Sequence, residues 1–120
     1  RDGVRCPRYR HGRDARLLAD GLQFSQLHAL ALADFDKDGR MDFVTGKRFW
    51  AHADKDPGSL DPALTVVFYN RKADNGVRWE SSVIEKDGGV GCDVVATDLD
   101  KDGKIDVAVG SKKGVFVIRQ

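Results

Sequence analysis

From residue 28 onward the chain alternates short apolar runs with stretches rich in aspartate and glycine. In residues 28–33 (HALALA), Leu30 and Leu32 alternate with alanine, the period-two pattern of a half-buried strand. Residues 43–46 (FVTG), 92–97 (CDVVAT) and 107–110 (VAVG) carry β-branched side chains that pack well on a pleated surface, so they read as strands and not helices. Residues 64–69 (LTVVFY) predict a strong strand. Residues 79–84 (WESSVI) predict another after a turn at Asn75-Gly76. Residues 115–118 (VFVI) predict a last one, and Leu17-Leu18 the end of an earlier one. Helix signals are confined to a weak turn or two within residues 13–27, and residues 47–62 read as a loop projecting from a sheet. The expectation is an all-β chain.

The pattern repeats. Residues 34–42 read DFDKDGRMD and residues 98–106 read DLDKDGKID, with six of nine positions identical and an offset of 98 − 34 = 64. Gly46 and Gly110 keep that offset, and the flanking strands match in kind. Self-similarity at a fixed spacing is the mark of repeat architectures. It divides the chain into a basic arm or remnant of a preceding unit (1–27), a first unit (28–91) and an incomplete second unit (92–120).

Composition sharpens this reading. Of 19 acidic residues only two are glutamate, Glu80 and Glu85, which leaves 19 − 2 = 17 aspartates. Aspartate suits turns and short metal loops, because its side chain folds back on nearby backbone. In D-x-D-x-D-G-x-x-D the chain curls so that alternate carboxylates converge, and the glycine, Gly39 or Gly103, permits the sharp turn. Oxygen-only donors select hard cations, and several donors on one flexible loop favour Ca²⁺ over Mg²⁺. An EF-hand would place a bidentate glutamate at the twelfth position and helices on either side. Here Thr45 and Val109 stand at that position, within strand patterns.

Strand, D-x-D-x-D-G-x-x-D, strand and glycine resembles the FG-GAP/VCBS repeat. That repeat forms the blades of β-propellers in integrin α-subunits and in many bacterial secreted proteins. Residues 28–50 and 91–116 are especially similar to the bacterial members, although the FG-GAP letters themselves are not cleanly present. The resemblance implies a partial propeller of about two blades, each of about four antiparallel strands, with a Ca²⁺ loop between its first and second strands. Carried onto this chain, it implies one site from Asp34, Asp36, Asp38, the Arg40 carbonyl and Asp42. The second site would be Asp98, Asp100, Asp102, the Lys104 carbonyl and Asp106. The 64-residue unit is long for a blade, and an insertion at 47–62 would account for it. A propeller needs about four to eight blades, so the remaining blades of a larger protein, or other chains, are expected to complete the sheets.

Other features narrow the function. Lys47, Arg48, Phe49, Trp50 and His52 form a basic and aromatic group after the first loop, a candidate binding site for a protein or carbohydrate ligand or a set of packing residues. Six arginines (Arg1, Arg5, Arg8, Arg10, Arg13, Arg16) read as a solvated arm. With Tyr9 as the sole interleaved aromatic and a net charge of +1, nucleic acid is not expected as a partner. No apolar run approaches the roughly 20 residues of a membrane span. Cys6 and Cys92 could pair in an exported protein, but an unpaired reading is preferred. His28 could serve as a general base, but it reads better as a strand residue near the start of its unit, and Cys92 at the equivalent place argues against shared chemistry. The expectation is a non-catalytic calcium-binding interaction module, extracellular, periplasmic or on the cell surface, where millimolar calcium fills even weak sites. The alternatives are a propeller portion of a secreted enzyme, polysaccharide-active or redox, and a structural spacer.

Overall fold

The computed structural model describes residues 26–49, 58–74 and 76–120. Among them there is no helix, and seven strands form two antiparallel sheets. The first sheet runs β1 (Leu30–Ala33), β2 (Asp42–Lys47), β3 (Leu64–Ala73) and β4 (Gly76–Glu85) in sequence order. The second runs β5 (Asp93–Thr97), β6 (Asp106–Ser111) and β7 (Gly114–Ile118). Each aspartate-rich loop joins the first two strands of its sheet. Leu17-Leu18, residues 13–25 of the segment with the weak helical turn and half of the expected projecting loop (50–57) lie outside the described residues.

Two details differ from the sequence reading. β3 and β4 are each ten residues long and pair as far as Ala73↔Gly76. The hairpin therefore reverses between Ala73 and Gly76, and Gly76, expected in the turn, already belongs to the strand. In β1 the leucines are the outward residues: Leu30 and Leu32 are more than half exposed, whereas Ala33 is buried and Ala31 packs against the core. The small face of β1 lets the second sheet approach closely.

Register shows how the sheets stack. Side chains alternate between the faces of a strand, so pairing defines two faces on each sheet. On the first sheet, Leu32↔Phe43↔Phe68 lie on a front face and Ala31↔Val44↔Val67 on a back face. At the 64-residue offset, Val94, Ala96, Val107 and Val109 occupy front positions, while Val95↔Ala108↔Val117 occupy the back. The core is a cluster of six valines: Val44 and Val67 from the back of the first sheet, Val94, Val107 and Val109 from the front of the second, and Val90 from the connection between them. The sheets therefore stack head to tail, back against front. On the outer front, Phe43 stacks on Phe68 at 4.8 Å and meets Trp79 edge-on at 5.0 Å. On the outer back, Val95, Val115 and Val117 are at least half exposed.

The connection from β4 to β5 is shaped by one of the two glutamates. The Glu85 carboxylate accepts the N–H groups of Asp87, Gly88 and Gly89, the last two at 2.7 and 3.0 Å. The chain then runs beneath the ends of both sheets. The Val90 N–H donates to the Lys47 carbonyl, and the Gly91 N–H to the Gly110 carbonyl at 3.0 Å.

Candidate metal centres

The two loops share one conformation. Lys37 and Lys101 are left-handed, at φ 58° and 61°, and Gly39 and Gly103 follow at 84° and 89°. A side chain in that region costs about 1–2 kcal/mol, so the lysines are held there by their surroundings. The holding groups are the first aspartates. Asp34 accepts the N–H groups of Asp38 and Gly39 at 3.1 and 2.8 Å, and Asp98 accepts those of Asp102 and Gly103 at 3.1 and 2.7 Å.

The curl gathers three carboxylates in each loop. Ligand oxygens of Asp34, Asp36 and Asp42 lie within 4.8 Å of one another, as do those of Asp98, Asp100 and Asp106. Donors on opposite sides of a calcium ion bound at about 2.4 Å lie about 4.8 Å apart, so either group could hold a metal ion. The expected fifth-position ligands, Asp38 and Asp102, are absent from these groups. Their Oδ1 atoms accept the N–H of Arg40 at 2.8 Å and of Lys104 at 2.9 Å, closing the turn through Gly39 or Gly103.

Asp42 and Asp106 open β2 and β6, and both are buried. Asp42 accepts the Phe35 N–H at 2.9 Å and the Asn70 N–H at 2.8 Å; Asp106 accepts those of Leu99 and Gln120 at 3.0 and 3.3 Å. Asp42 thus ties its loop to the body of β3, and Asp106 ties its loop to the residues just after β7. Burial pushes the Asp42 carboxyl above the ordinary aspartate value, against the pull of those two N–H groups. Nearby, Asn70 Oδ1 is a buried oxygen with no hydrogen-bond partner among the described residues.

Sequence reasoning missed a cation at each loop. Arg71 of β3 forms an ion pair with Asp36, lies 3.6 Å from both Asp38 and Glu80, and sits 4.7 Å over the Tyr69 ring. Arg119, just after β7, pairs with Asp100. The Arg71 guanidinium holds the Asp36 carboxyl below its ordinary value. Asn70 and Gln120 are equivalent by register, so the arginines reach the loops from unlike positions, one after Asn70 and one before Gln120. No offset of 64 could have found them. In each loop three clustered carboxylates face one guanidinium, an excess of negative charge that a cation would offset.

In the basic and aromatic group after the first loop, Lys47 is set apart from the other described members. Lys47 is fully buried, which removes it from any ligand-binding surface. Its Nζ donates to the Ser59 carbonyl at 3.0 Å, the Arg48 carbonyl at 3.3 Å and Gln26 Oε1 at 3.4 Å, as a buried ammonium requires. Arg48 and Phe49 are partly exposed, while Trp50 and His52 lie outside the described residues. Cys92 is a free, exposed thiol 3.0 Å from Arg48 Nη2, and Cys6 is outside the described residues. No helix among the described residues is long and apolar enough to cross a membrane.

Against known proteins, no protein-family model, curated protein or solved structure matches the chain.

Proposed function

We propose that the chain is a calcium-stabilised β-propeller-type module of the FG-GAP/VCBS kind, which presents loops to a protein or carbohydrate ligand and has no catalytic role of its own. The observation that carries this reading is the pair of three-carboxylate groups, each in the same loop conformation between the first two strands of a sheet. Hard oxygen donors that outnumber the neighbouring guanidinium suit Ca²⁺, with Asp34, Asp36 and Asp42 holding one ion and Asp98, Asp100 and Asp106 the other. Bound there, the ion would neutralise carboxylates that otherwise repel one another, and its binding energy would add to folding energy. Head-to-tail stacking of the sheets supports the blade reading, because back-against-front contact can be repeated by further units. Millimolar calcium outside the cell favours an exported or surface location.

The test is calorimetric titration of the chain with calcium, joined to melting in calcium and in chelator. Two sites per chain are expected, with a higher melting temperature in calcium. Asp36→Ala or Asp100→Ala should each remove one site and shrink the gap between the two melting temperatures. Identical melting in calcium and chelator, with no heat of binding, rejects the metal reading.

A further inference from the structure

An open cleft of about 390 Å³ lies where the strand ends of the two sheets meet, away from both aspartate loops. Its walls are Arg48 and Phe49 just after β2, Cys92 before β5, and Ser111, Lys112 and Val115 around the β6–β7 turn, over the bare backbone of three glycines. Among the described lining residues two are basic and none is acidic. A concave site lined by one sign of charge concentrates the opposite ion. Lys113 adds a third cation, 4.9 Å over the Phe49 ring, although Asp87 pairs with it.

Arg48 is poorly served in this arrangement. Among the described residues its side-chain partner is the Cys92 sulfur, a weak acceptor, whereas a guanidinium fork suits a carboxylate with two parallel hydrogen bonds. Apolar surface stands beside the charge: Phe49 is 45% and Val115 81% exposed. The first sheet has no such space at the equivalent place. A Cβ at Gly46 would meet the Leu64 carbonyl at 2.0 Å and Val90 at 2.8 Å, while one at Gly110 would meet nothing within 4 Å.

We infer that this cleft binds a small organic anion, its carboxylate on Arg48 and Lys112 and its flat apolar body against Phe49 and Val115. This names a ligand class for the interaction module proposed above, and it depends on neither metal loop. Benzoate and its neutral counterpart benzamide are suitable probes, followed by amide chemical-shift mapping on the full chain, with calcium and with chelator. Saturable shifts at Gly91, Gly110, Ser111 and Gly114 are expected with benzoate, with benzamide binding at least tenfold more weakly. Arg48→Gln should weaken benzoate at least tenfold. Gly110→Val, which fills the cleft where an added Cβ meets no atom, should abolish binding while spectral dispersion stays native. Equal binding of benzoate and benzamide, shifts confined to other residues, or benzoate binding unchanged in both folded variants overturns the inference. Calcium uptake without benzoate binding defeats this inference alone; benzoate binding without calcium uptake supports it and defeats only the metal reading.

Discussion

At the scale of single residues, each loop is governed by a division of labour among its aspartates. The first aspartate holds the loop backbone, the third position faces an arginine, the fifth closes the turn, and the ninth ties the loop to the third strand or to the residues just after it. The metal reading makes Arg71 a competitor. Its guanidinium occupies Asp36, so an incoming ion must share or displace it. Arg71→Ala is expected to tighten calcium binding at the first loop severalfold and to lower the metal-free melting temperature. Calorimetry together with melting in chelator measures both changes, and weaker calcium binding in the variant would mean that the arginine assists the site. The pair itself is partly open to solvent, which screens it and leaves it a minor part of the stability. The aspartates were legible in the sequence because their spacing is local. Arg71 and Arg119 were not, since cross-strand register, not sequence distance, brings them to the loops. Lys47 was misread for a related reason: nothing in a lysine's neighbours announces that three oxygens will bury it.

Among the elements, the strands could be read wherever alternation or β-branching was strong, which covers all of β1 and β5 and most of the other five strands. Polar residues concealed the rest. Asn70–Ala73 and Gly76–Arg78 carry little apolar signal, and they are strand because each completes the other's hydrogen bonds. The two glycines in equivalent frames make a sharp comparison. Gly46 sits on the covered back of the first sheet, where a Cβ has no room, whereas Gly110 sits on the open back of the second. Gly46→Ala is expected to cost about 2–3 kcal/mol through overpacking, and Gly110→Ala to stay within about 0.5 kcal/mol, as uncrowded surface changes do. Denaturant unfolding of the two variants decides this, and equal losses would show that the sheets do not stack as described.

Across the whole molecule, the two sheets share one core instead of owning one each. Val67→Ala should cost about 2 kcal/mol. Because its cavity opens onto Val94, Val107 and Val109, hydrogen-exchange protection should fall in parallel at the amides of Val44 and Val107. Loss confined to the first sheet would mean that each sheet is stable alone. This stacking was not legible beforehand: the near-duplicate loops announced two like units, but which face meets which depends on pairings between distant segments. The arrangement also gives the molecule a direction. Because unlike surfaces meet at the internal junction, no two-fold axis can reproduce it, and a mirror-like pairing of two copies would bring aromatics to aromatics or valines to valines. A unit added in the internal manner would leave the same kind of surface facing outward as before, so growth by that rule stops only when the series curves round to meet its own beginning.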